Sequence, residues 1–178
     1  GLSLRLEAAA SVDRASDFLL KTQLKNGSWS NHPVVTSYAV LALASIRGSS
    51  AGEDLRTAMI KGAEFLSRQS HKDGSIWNDY TRDYPLLSTA ICSFGIVSAA
   101  RDDSPPTVLL KARNFLLNAQ VRHLPRTHPA FGGFRLSDNH LPTLTVSHWA
   151  LEALYLTDAL QASTGASPAE DRQNETVY

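Results

Sequence analysis

The feature that constrains this chain most is that it repeats itself. Phe18-Leu-Leu-Lys-Thr-Gln23 precedes Asn26-Gly-Ser-Trp29, and Phe65-Leu-Ser-Arg-Gln69 precedes Asp73-Gly-Ser-Ile-Trp77. A looser third copy runs from Phe115-Leu-Leu-Asn-Ala-Gln120, through an insertion from Val121 to Ala130, to Phe131-Gly-Gly-Phe134. Each copy reaches a matching apolar segment: Thr36 to Leu43, Leu87 to Phe94 and Ser147 to Leu154, with Ala39, Ala90 and Ala150 setting the register. A period of about 50 to 60 residues is that of one supersecondary unit, repeated because it cannot bury its own face alone.

Within each unit two kinds of segment alternate. Those before the glutamine carry apolar residues at helical spacing: Leu4, Ala8, Val12, Ala15 and Leu19; then Leu55, Met59, Gly62 and Leu66; then Leu109, Ala112, Leu116 and Ala119. These are outer helices with one wet face. Pro33 to Ile46 and Pro85 to Ala100 carry no charge, and Leu141 to Leu160 carries only Glu152 and Asp158. Helices apolar all round are buried, so these form an inner row. Pro33, Pro85 and Pro142 suit the first turns of the inner helices, Ser104 before Pro105 and Pro106 marks a helix start, and Gly48 and Gly52 flank a short loop. The expected fold is all-α: three αα-hairpin repeats, at about 3–48, 52–101 and 104–162 of a 1–162 domain, giving six helices in two layers. The polar, aperiodic stretch from Ser163 to Tyr178 reads as a flexible tail.

Composition narrows the function. Seventeen Lys and Arg balance seventeen Asp and Glu, with no basic cluster among aromatics, so no nucleic-acid partner is expected. The longest uncharged stretch, Tyr84 to Ala100, is 17 residues and falls short of the roughly 20 that a bilayer span needs, so no transmembrane segment is expected. The single cysteine, Cys92, rules out an internal disulfide and leaves the compartment open, with a cytoplasmic setting favoured over secretion. Asn26 and Asn174 match the glycosylation pattern, which carries no weight without secretion.

The recurring motif is Gln23, Gly27 and Trp29; Gln69, Asp73, Gly74 and Trp77; and Gln120, Gly133 and Phe134, with the second copy the most complete in sequence. Glycine permits the turn, Asp or Asn closes it by side-chain hydrogen bonds, glutamine bonds backbone groups, and the aromatic packs on an adjacent helix. Over about residues 10–160 this resembles the Gln-Trp repeats of squalene and oxidosqualene cyclases and is similar to those of protein prenyltransferase β subunits. The resemblance implies a partial α/α toroid. It also implies that three hairpins, half the family's six, leave apolar flanks that a homodimer or a missing half-toroid would cover.

The chemistry of those families is not legible here. Their cyclases protonate an alkene from an Asp-x-Asp-Asp-Thr cluster opening an inner helix. At the corresponding places stand His32, Val34 and Val35 in the first repeat, Asp83, Pro85 and Leu86 in the second, and Thr143, Thr145 and Val146 in the third. Asp83 is thus a weak catalytic candidate, competing with a helix-capping role. The prenyltransferases hold zinc with Asp-x-Cys and a distant His, and no Asp-x-Cys occurs. Cys92 reads as a buried small residue, and His71, His123, His128 and His140 as solvated loop residues, so neither metal nor cofactor is expected. Gly132, Gly133 and Arg135 are a faint phosphate candidate, and Asp79 and Asp83 a polar rim paired with Arg82 or water. Tyr38, Tyr84, His148 and Trp149 would give a lumen an aromatic wall, suited to an apolar, isoprenoid-like molecule. The expected function is a catalytically incomplete repeat domain that binds an apolar ligand or a protein partner on its concave face. The alternatives are a part of an isoprenoid enzyme completed by another chain, and a structural assembly module.

Overall fold

A computed structural model describes residues 2–46, 52–100, 107–137 and 140–163, the last four of these as backbone alone. Among the described residues the protein is all-α, with six helices and no named strand: α1 (Leu2–Thr22), α2 (Pro33–Ser45), α3 (Glu53–Arg68), α4 (Pro85–Ala99), α5 (Thr107–Ala119) and α6 (Leu144–Ser163). The Ser104 helix start, Gly48, Asn174 and nearly all of the expected tail lie outside the described residues.

Two layers result. The inner row is α2, α4 and α6, with α4 central and packed on both others. The outer helices cover it: α1 lies on α2 and α3, α3 on α2 and α4, and α5 on α4 and α6. Three core clusters follow one another along the row. Trp29, Val40, Leu43 and Met59 form the first; Leu66, Ile76, Cys92 and Leu109 the second; and Leu86, Leu116, Phe134 and Ala150 the third. Each cluster joins neighbouring helices of the stack, the packing of a quasi-one-dimensional repeat. Inner helices approach closely because their facing residues are small: Ser37 Oγ donates to Ile91 O at 2.6 Å, and a Cβ on Gly95 would fall 2.6 Å from Ser37 Oγ.

The turns between helices follow one plan. Gly27, Gly74 and Gly132 adopt φ of +89°, +91° and +80°, a region that favours glycine. Two residues on, the backbone N–H of Trp29, Ile76 and Phe134 donates to Thr36 Oγ1, Thr89 Oγ1 and Ser147 Oγ of the following inner helix, at 3.0, 2.8 and 3.0 Å. Asn26 Oδ1 accepts from Ser28 N and Oγ at 3.1 and 2.7 Å, and Asp73 Oδ1 accepts from Ser75 N and Oγ at 3.0 and 2.6 Å, closing the turn as expected.

This shared geometry corrects the sequence register. The turn glycine of the third copy is Gly132; Gly133 takes the place of Ser28 and Ser75, its carbonyl accepting from Val121 N as theirs accept from Leu24 N and His71 N. The buried position of the second copy belongs to Ile76, fully buried, whereas Trp77 is displaced one residue outward and half-buried, stacked on His71 at 3.9 Å. Gln69 is displaced likewise. Gln23 and Gln120 each donate to the carbonyl of their turn glycine at 2.9 Å, but Gln69 donates only to Phe65 O in its own helix, because Ser70 stands where they do. The copy that is most complete in sequence is therefore the one whose glutamine and tryptophan have slipped out of the motif's positions.

Three further expectations change. The apolar spacing of α1 does not seal a face: Leu4, Ala8, Val12 and Ala15 are exposed and Ser16 is its one buried residue, because the helix runs past the end of the inner row. The inner helices are not all enclosed. α4 is, but α2 and α6 end the row and each shows a flank, with Val35, Tyr38, Leu144, Leu151 and Tyr155 exposed. Pro33 and Pro85 occupy the first turns of α2 and α4. Pro142 instead precedes α6, bridging to Arg135, while Thr143 caps the helix by accepting from Val146 N at 3.2 Å.

Candidate functional site

Ser88, Cys92 and Ile96 line the side of α4 turned toward α3 and α5, with Cys92 and Ile96 in a cluster with Leu66 and Leu109. Half a turn round the helix, Phe94 points to the opposite face. There it meets Trp149 of α6 edge to face, with ring centroids 5.5 Å apart. Tyr38 of α2 reaches the same indole at 6.2 Å, also edge to face, and His148 stands 5.8 Å from it. One aromatic from each inner helix thus converges on the face away from the outer layer. Tyr38 is 45% exposed, Phe94 and Trp149 are half-buried, and His148 is exposed. An edge-to-face pair covers one face of one ring, and the ring faces left over suit an apolar or cationic guest.

Of the four residues expected to line this wall, the structure brings together Tyr38 and Trp149, sets His148 beside Trp149 on the exposed flank of α6, and leaves Tyr84 elsewhere. Tyr84 is the N-cap residue of α4, and its hydroxyl donates to Tyr80 O at 3.2 Å and lies 3.5 Å from His32 Nε2. Phe94 was missed. It ended the second apolar segment, in register with Leu43 and Leu154 and read as core.

A cleft of about 800 Å³ opens between the start of α4, the end of α5 and the loop before α6. Leu86, Phe115 and Leu136 form its apolar wall, and Arg82, Asp83, His123, Arg135 and His140 its polar one. His123 and His140, scattered in sequence, share this cleft: His123 Nε2 lies 3.2 Å from the Arg135 guanidinium, and His140 Nδ1 lies 2.6 Å from Ser137 Oγ. The N–H groups of Gly132 and Gly133 are taken up within the turn, donating to Val121 O and Ala130 O.

Asp83 is exposed on the cleft rim, and no other carboxylate lines the cleft. It is not the cap of α4 either, whose N-cap residue is Tyr84, without a side-chain capping bond. Asp79, Asp83 and Arg82 form no ion pair with one another; the pair among the described residues joins Arg113 to Asp158. Burial pushes the Cys92 thiol up to about 12 despite its contact with Ser88 Oγ, which holds the sulfur as the thiol near neutral pH. Among the described residues no group of three His, Cys, Asp or Glu is placed to hold a metal ion, and no helix is long and apolar enough to cross a membrane. No protein-family model matches the chain, and no solved structure matches it significantly.

Proposed function

We propose that this protein is a helical-repeat domain that binds an apolar, isoprenoid-like molecule on the concave face of its inner helices, without converting it. One observation carries the reading: Tyr38, Phe94 and Trp149, one from each inner helix, converge on the face that no outer helix covers. An isolated core aromatic needs no such convergence, whereas a wall of ring faces with one phenol at its edge suits a flat or branched hydrocarbon. The resemblance to cyclase and prenyltransferase repeats supplies the isoprenoid class. The turn-glycine and hydroxyl register supports three copies of one hairpin, although Gln69 and Trp77 stand outside it. Catalysis is left out of the proposal because Asp83 is exposed and isolated and Cys92 is locked as a thiol.

Calorimetric titration with farnesol, an uncharged isoprenoid alcohol, tests the reading. Micromolar binding that weakens at least tenfold in Phe94→Ala, about 1.4 kcal/mol, is the expected result. Absence of binding, or binding indifferent to Phe94→Ala and Tyr38→Ala, contradicts it. A second reading is favoured by the bare flanks of α2 and α6: part of an isoprenoid enzyme, with the acid supplied by another chain. Turnover only in the presence of such a partner distinguishes it.

A further inference from the structure

We propose that this chain associates with a second copy of itself head to tail, the free flank of α6 in one copy packing against the free flank of α2 in the next. The internal stack supplies the template, because both junctions between hairpins join adjacent inner helices, and among the described residues the row ends at α2 and α6 with a flank of each uncovered.

At the α6 end, Leu144, His148, Leu151 and Tyr155 follow one another at spacings of four, three and four residues. This stripe lies opposite Val146, Ala150 and Ala153, the side packed toward α4. Leu144 is 91% exposed and Tyr155 75%, which is unusual for large apolar side chains aligned on one helix face. At the α2 end, Phe18, Val35, Trp29 and Ala42 line a groove of about 470 Å³, with Phe18 64% exposed. It occupies the flank of α2 that faces away from α4.

The turns give an independent sign. A Cβ on Gly27 would collide with the carbonyl of Lys61, and one on Gly74 with that of Lys111, because each turn is pressed against the outer helix of the next hairpin. Gly132 has the same positive φ, but the nearest atom to a Cβ built there is Gln120 Nε2, at 4.0 Å. The third turn is made like the others and has no outer helix beside it among the described residues. α1 of a second copy, whose first four turns are exposed, is an outer helix with a surface to spare.

The register of the contact follows from the internal one. Ser37, five residues after the α2 cap His32, bonds Ile91, seven after the α4 cap Tyr84. In the register of the turn hydroxyls Thr36, Thr89 and Ser147, that bond runs from one residue past the hydroxyl to two past it, so His148 of one copy meets the Tyr38 and Val35 side of the next. Such a heterologous contact closes into a ring or extends into a chain according to the rotation per step.

Sedimentation velocity of the whole chain at micromolar concentrations reads this directly. Wild type is expected to sediment as a dimer or larger. Phe18→Glu, which spoils the α2 end, and Leu151→Glu with Tyr155→Glu, which spoils the α6 end, are each expected to be monomeric alone. Mixed, they form a one-to-one heterodimer through the one intact pair of surfaces. A monomeric wild type overturns the proposal, and so does a Phe18→Glu variant that still self-associates, since that means α6 pairs with α6. A disulfide test does not depend on charged variants folding: His148→Cys mixed with Val35→Cys is expected to give the mixed dimer under mild oxidation, Cys92 being buried. Recovery of His148→Cys homodimers alone rejects it.

Discussion

A residue's neighbours decide its role here more than its identity does. Trp29 is 4% exposed, its indole N–H donates to Leu19 O at 2.9 Å, and Trp29→Ala is expected to cost roughly 3 to 5 kcal/mol. Trp77 looks like its counterpart in sequence but lies half-buried against His71, while the fully buried Ile76 fills the equivalent position. In urea unfolding, Ile76→Ala should therefore lower stability by roughly 2 to 5 kcal/mol. Trp77→Ala should lower it by only about 1 kcal/mol. The reverse order would contradict the register. The motif's presence was legible in sequence because glycine and Asx residues mark turns locally. Which of two adjacent residues, Ile76 or Trp77, turns inward was not, since that depends on a hydrogen bond to Thr89, thirteen residues away.

At the scale of elements, each inner helix is tied to its turn by a hydroxyl of its own first turn or two. Thr36 accepts from Trp29 N; Ser147 accepts from Phe134 N; in the second copy Thr89 accepts from Ile76 N while Ser88 donates to Ile76 O at 2.7 Å. Thr36→Val keeps the shape and leaves the Trp29 N–H without an acceptor, an expected loss of roughly 1 to 3 kcal/mol, checked against Thr36→Ser by thermal unfolding. The start of α2 carries a pH dependence. His32 Nδ1 accepts from Val35 N at 3.4 Å, which requires the neutral ring, and burial lowers its pKa below the ordinary 6.5. Because the unfolded chain binds that proton more readily, the stabilisation is complete above pH 6.5 and is lost as pH falls through the folded-state value. His32→Asn, a capping residue without that proton, should flatten the dependence of the unfolding midpoint between pH 7 and the acid limb. Helix type was readable from charge patterning, since α3 and α5 bury the stripes expected of them. The exposure of α1, α2 and α6 was not, because periodicity reports that a face is apolar and not whether a neighbour exists to cover it.

Over the whole molecule, three stacked hairpins place one aromatic from each inner helix on a shared face and, among the described residues, leave a flank of α2 and of α6 uncovered. The wall was partly legible: Tyr38, His148 and Trp149 stand at comparable distances from their helix starts, so aligned repeats bring them together. Phe94 lies a turn further along α4, and Tyr84 at its cap, so the same alignment missed one and misplaced the other. The cleft holding His123 and His140 was illegible, since it forms between the insertion and the loop before α6, outside any periodic segment. The central claim is that the concave face, not this cleft, receives an apolar molecule. Hydrogen-exchange mass spectrometry with and without farnesol tests it most directly. Protection gained in peptides covering Tyr38, Phe94 and Trp149 is the predicted result; protection confined to residues 118–123 and 135–137, or none anywhere, would contradict it.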